Sequence, residues 1–232
     1  MLDVASTSFI VNVPSLPKKE FEKYSTRLFD NWAEDVEKTL KIPDYSISLE
    51  VEEGSIKGVG KIAAALAAVY IGIGQYSDFI SGLQTIRSQA SYVNERLFEN
   101  ARSPFGGSNV NSQVRRNGGA LGRLQTLFSK VQSRQLTVDE ALVQAIILLG
   151  EEAEKNPEFI KDLQKQFENA PRHLEQLTFF EEMPEQLVAA PEDQKAPGKK
   201  RIPREIALPQ KFRIEIWKDS KRDKRHVKVI DL

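Results

Sequence analysis

The chain has 232 residues, 40% of them hydrophobic and 28% charged, which is ordinary for a globular chain and enough for one large domain or a domain with appendages. Its 33 lysines and arginines balance 33 aspartates and glutamates, which argues against a uniformly basic nucleic-acid binder or an acidic solvating chain and removes long-range self-repulsion. There is no cysteine, so disulfides, thiolate nucleophiles and thiolate metal sites are excluded, and a cytoplasmic location, with any membrane contact peripheral, is expected.

Residues 8–13 are apolar and β-branched and are stopped by Pro14, predicting a first strand and no secretory leader. Ser15 is placed to cap a helix with Pro17 in its first turn. Phe21, Tyr24, Leu28, Trp32, Val36 and Leu40 then recur every three or four residues until Pro43, the spacing of an amphipathic helix. Tyr45, Ile47, Leu49 and Val51 alternate with Ser46, Ser48 and Glu50, a half-buried strand closed by a turn at Glu52-Glu53-Gly54-Ser55.

Beyond that turn, residues 62–77 form a run of 16 without charge between Lys61 and Asp78. Gly60, Ala64, Ala68 and Gly72 fall at four-residue spacing, with Ile62, Leu66, Val69 and Ile73 beside them and Tyr70 and Tyr76 near the end. The spacing predicts a helix over 58–80 whose small-residue stripe admits close approach of another backbone. A buried core helix is the first reading of it. An interface for self-association or a protein partner is the second, and conditional membrane insertion the third, because the run lies between the lengths of buried and spanning helices. The strand ending in Glu52-Glu53-Gly54-Ser55, the small-residue apolar segment, and then Tyr76, Phe79 and Ser81-Gly82 resemble a segment of small uncharacterised bacterial proteins. The resemblance covers residues 45–85, implies a bacterial source and carries no activity with it.

A polar-amphipathic stretch runs to about Arg102, residues 104–112 read as a loop, and a helix is predicted from near Val114 with Leu121, Leu124, Leu127, Phe128 and Val131. Thr137 and Glu140 have the spacing of a capping box, opening a helix with an apolar face of Ala141, Leu142, Ala145, Ile146, Leu148 and Leu149. Asn156-Pro157 starts another, carrying Phe159, Ile160, Leu163 and Phe167 and stopped by Pro171. From Met183 the chain is polar and punctuated by Pro184, Pro191, Pro197, Pro203 and Pro209, predicting a flexible linker over 190–210. Phe212, Ile214 and Ile216 alternate with Arg213, Glu215 and Trp217. A charged turn then leads to Val227 and Val229, giving a β-hairpin that must pair with the N-terminal strands or with a partner to be stable. The expected fold is α+β and mainly helical, with a few short N-terminal strands and a C-terminal hairpin. Four segments are expected: 1–103, a helical bundle over 112–189, the linker 190–210 and the hairpin 211–232.

No motif announces chemistry. His173 and His226 stand alone, without metal-ligand spacing. The pairs Glu52-Glu53, Glu151-Glu152 and Glu181-Glu182 are adjacent residues, which diverge by about 100° on a helix and make poor acid–base partners. Residues 54–61 are glycine-rich but lack the spacing of a phosphate loop. No catalytic residue, metal or cofactor is therefore expected. Two basic clusters, Lys199, Lys200 and Arg201 with Arg204, and Lys218, Lys221, Arg222, Lys224 and Arg225, are candidates for phosphate contact with nucleic acid or anionic lipid. They read more simply as a solvated linker and a charged turn, and Arg115-Arg116 is a weaker candidate of the same kind. The expectation is a non-enzymatic interaction or assembly protein, a bacterial component of a multi-protein complex, with Gly60, Ala64, Ala68 and Gly72 as the interface. The alternatives are a membrane-acting effector inserting helix 58–80 and a nucleic-acid-binding accessory protein using the basic hairpin.

Overall fold

A computed structural model describes residues 1–170 and 212–232; the linker over 190–210, His173, Lys199, Lys200, Arg201 and Arg204 lie outside the described residues. The chain is α+β. Alternation builds its sheet: β1 (Leu2–Val11), β2 (Ser46–Glu52), β3 (Ile56–Ala64), β4 (Ser112–Asn117), β5 (Phe212–Lys218) and β6 (His226–Asp231) are antiparallel neighbours in the order β4-β1-β3-β2-β5-β6. Leu49 stands opposite Ile216 and Val51 opposite Ile214, all of them buried, and such cross-strand pairs hold register because a one-residue slip would turn the whole apolar set outward. The terminal hairpin thus pairs with an N-terminal strand, β2, as its marginal stability alone required.

Helices α1 (Lys18–Thr39) and α3 (Phe79–Arg102) cover one face of the sheet; α2 (Leu66–Ile73) precedes α3. The predicted stripe of α1 is its buried stripe, with Phe21, Tyr24, Leu28, Trp32 and Val36 inward. The Tyr24 hydroxyl donates to the carbonyl of Ala101 at 2.8 Å and joins α1 to α3; burial pushes that hydroxyl's pKa up. Asp78 caps α3 by accepting the Ser81 N–H at 2.7 Å. The succession β1-α1-β2-β3-α3-β4 with β3 between β1 and β2 is a ferredoxin-like split βαβ, enlarged by α2 and by the hairpin added beyond β2. Helices α4 (Gly119–Gln132), α5 (Val138–Leu149), α6 (Glu151–Lys155) and α7 (Pro157–Glu168) complete the described residues. Phe159 of α7 packs against Tyr70 of α2 and Phe79 of α3, and Phe128 of α4 against Phe167 of α7.

Two expectations are corrected here. There is no helix over 58–80: residues 56–64 are strand β3 and only 66–73 are α2. Ile56, Gly58, Gly60, Ile62 and Ala64 face the helices, while Lys57, Val59, Lys61 and Ala63 face outward. The inward glycines make room for aromatic rings. A Cβ at Gly58 would run into the Phe9 ring, and one at Gly60 into Leu97, with Trp32 Cη2 at 3.2 Å. The second correction is that no helix begins near Val114. Residues 112–117 pair with β1, Phe9 opposite Val114 and Ser8 opposite Arg115, and α4 starts at Gly119, whose φ of 55° and contact with the backbone of Asp3 and Val4 leave no space for a side chain.

Candidate functional site

The four residues expected to form one stripe are divided between two elements and are all buried inside the chain: Gly60 and Ala64 on β3, Ala68 and Gly72 on α2. A Cβ at Gly72 would lie 2.8 Å from the carbonyl oxygen of Lys41, so this close backbone approach is made within the molecule. Tyr70 and Tyr76 also turn inward. The Tyr70 hydroxyl bonds the Asp162 carboxylate of α7, which pushes its pKa up to about 12, and Tyr76 accepts a bond from Gln89 at 3.0 Å.

The acidic groups hold structure together. Glu53 is buried and accepts bonds from the Ser15 hydroxyl and, at 3.1 Å, the Leu16 N–H, tying the entry of α1 to the β2–β3 turn; Ser15, expected to cap α1, is occupied here, and Pro17 takes the cap position. Asp44 accepts from the Ser220 hydroxyl at 2.8 Å and the Lys221 N–H at 2.9 Å, fixing the hairpin tip, and the Lys221 N–H is the first reason its carboxyl lies below the usual range. In the basic tip itself, Lys221 lies over the Tyr45 ring at 5.9 Å and Arg225 pairs with Asp30 of α1. Lys218 is half-buried, and the exposed Arg222 and Lys224 alternate with Asp219 and Asp223. His226 stacks on Trp217, ring centroids 5.4 Å apart. Arg115 and Arg116 sit on the edge strand β4, Arg116 paired with Glu95 at 3.2 Å.

Glu152 carries a testable electrostatic consequence. It accepts the Leu66 N–H at 2.8 Å, satisfying an orphan donor at the start of α2, and this bond lowers its pKa. Because the folded-state pKa is depressed, the stabilisation is present at neutral pH and is lost as pH falls through the folded value. Glu152→Gln should therefore lose about 1–2 kcal/mol at pH 7, with the difference from the parent shrinking below the ordinary glutamate value of 4.5. Chemical denaturation across pH measures it; a difference independent of pH would mean that the charge of Glu152 is not what holds α2.

The unusual surface lies on α5. Thr137 accepts the Glu140 N–H at 3.3 Å and Glu140 bonds back to Thr137 at 2.9 Å, the capping box expected, and the Thr137 N–H holds the Glu140 carboxyl below its usual range. From this start the helix turns two alanines and one leucine inward: Ala141, Ala145 and Leu149 are buried. Its outward ridge is aliphatic, with Val143 56% exposed, Ile146 40% and Ile147 74%, one patch at i, i+3 and i+4. Gly150, with φ of 56°, ends the helix, and exposed Asp139 and Glu140 before the ridge and Glu151 and Glu154 after it frame it with acid. Of the apolar face expected on α5, Ala141, Ala145 and Leu149 are buried and Leu142 and Leu148 half-buried, but Ile146 is exposed, because the second half of α5 is apolar on nearly every side and periodicity places its edge poorly.

Among the described residues no helix is long and apolar enough to cross a membrane, and no three His, Cys, Asp or Glu residues are grouped to share a metal ion. The groove between α3 and α4, about 340 Å³, is lined by Ile80, Leu83, Phe128, Ser129 and four glutamines and holds no titratable side chain. Comparison with family models, with curated proteins and with solved structures finds no match for this chain.

Proposed function

We propose that this chain is a non-enzymatic interaction and assembly protein, and that the exposed ridge of α5 is the surface through which it joins a complex. One observation carries this reading: alanines face the core while Val143, Ile146 and Ile147 face water, the reverse of what burial of apolar area favours at roughly 25 cal/mol per Å². A partner on the ridge removes that cost. The groups best suited to acid–base work support binding over catalysis, because Glu53, Asp44, Glu140 and Glu152 are each held in bonds that secure a turn or a helix end. A reducing cytoplasm is the compartment we propose for it, with protein as the partner.

The test is site-specific photo-crosslinking in the source cell, with a benzophenone side chain at position 147 and, as control, at the exposed Lys161 of α7. A discrete higher-mass protein adduct from position 147 alone is the expected result. Equal labelling at both positions, or lipid as the adduct, would remove α5 from the reading.

A further inference from the structure

Resting on the interaction reading, we infer that the α5 ridge receives an amphipathic helix of another protein whose apolar stripe is bordered at both ends by lysine or arginine. The apolar part of the fit is the ridge itself, which a second helix can cover by packing its own apolar stripe onto Val143, Ile146 and Ile147. The charge part comes from the frame. Helices α5 and α6 expose Asp139, Glu140, Glu151 and Glu154 against one cation of their own, Lys155, which is paired with Glu151 at 3.6 Å; Glu152 is turned to the Leu66 N–H and the N-terminal ammonium. No lysine or arginine occurs on α5.

This frame separates the possible occupants. A second copy would meet the ridge through a two-fold axis, which brings the same patch to itself. Whether the two helices ran parallel or antiparallel, carboxylates at the ends would face carboxylates. The chain's own apolar stretch, residues 174–188, contains four glutamates and no lysine or arginine, so it meets the same repulsion. A basic-bordered helix meets attraction at both ends, and like charges across an interface are a main source of discrimination against wrong partners.

Two fluorescent synthetic peptides test this with the full chain: a helix with a leucine stripe and lysines at both ends, and its twin with glutamates in place of the lysines. The lysine peptide should bind about tenfold more tightly than the glutamate peptide, and the preference should weaken with salt. Ile147→Gln should lose most of the binding of the lysine peptide with thermal stability unchanged, since the side chain is 74% exposed. The pair Glu151→Lys and Glu154→Lys should move the preference toward the glutamate peptide, a readout that general loss of structure does not produce. Equal binding of both peptides, or no binding of either, overturns the inference. So does a dimer of the chain alone, seen by light scattering and broken by Ile147→Gln, or a crosslink from position 147 into residues 174–188. If the peptides fail while position 147 still captures a protein in the cell, the partner chemistry is wrong and the interaction reading stands.

Discussion

Gly60→Val should destabilise the fold by about 3 kcal/mol, lowering the melting temperature by roughly 6–12 °C for a chain of this size. Gly60 lies in β3 directly beneath Leu97 of α3 and Trp32 of α1, both fully buried. A side chain there collides with Leu97 and has no relaxed alternative, because Trp32 closes the other side. Two controls give the result its meaning. Ala63→Val, three residues along and on the outward face, should be nearly neutral. Gly60→Val combined with Leu97→Ala should be more stable than the sum of the two single changes, since the smaller residue opens the space the valine needs. Additive losses would mean that α3 does not cross β3 at this point.

Gly60 also shows where sequence patterning stops. A four-residue interval fits one helical face, but four is also a multiple of two, so residues 60 and 64 share a face on a strand as well. The alternation of β3 was hidden because its inward positions include Gly58 and Gly60, small for the sake of Phe9, Trp32 and Leu97, and those side chains belong to distant parts of the chain. Strand β4 was hidden for another reason. It is an edge strand of Ser112–Asn117 with one apolar side chain, Val114, and most of its surface exposed, so its pairing depends on β1 and not on its own hydrophobicity. Local signals did carry through: the stripe of α1, the capping box of α5, the proline start of α7 and the alternation of β2 and β5 are all present. The candidate face fell between these cases. The inward side of α5 was legible in Ala141, Ala145 and Leu149, but Ile146 was expected there too and is exposed; which of the remaining aliphatic residues turned to water depended on packing against α4 and α7, a tertiary choice that periodicity does not decide.

Phe159→Ala should cost about 3–5 kcal/mol and should act first on the helices that carry the ridge. The Phe159 ring is fully buried, 5.6 Å from the Tyr70 ring in an edge-on contact and 5.3 Å from the Phe79 ring. It is where α7 meets both α2 and α3, and α5 rests in turn on α7. The sheet keeps its own ladder of hydrogen bonds and its cover of α1 and α3, so the loss should be uneven. Hydrogen exchange should quicken in α5 and α7 well before it does in β1, β2 and β3. Tyr70→Phe is the milder companion: it keeps the ring contact, removes only the bond to Asp162 and should cost about 1 kcal/mol. If Phe159→Ala instead speeds exchange equally throughout, α5 is no separable platform. The ridge would then have to be understood as part of a single cooperative unit with the sheet. If exchange is confined to α5–α7, binding at the ridge should fall in Phe159→Ala although Val143, Ile146 and Ile147 are all intact, because a partner would first have to order the surface it recognises.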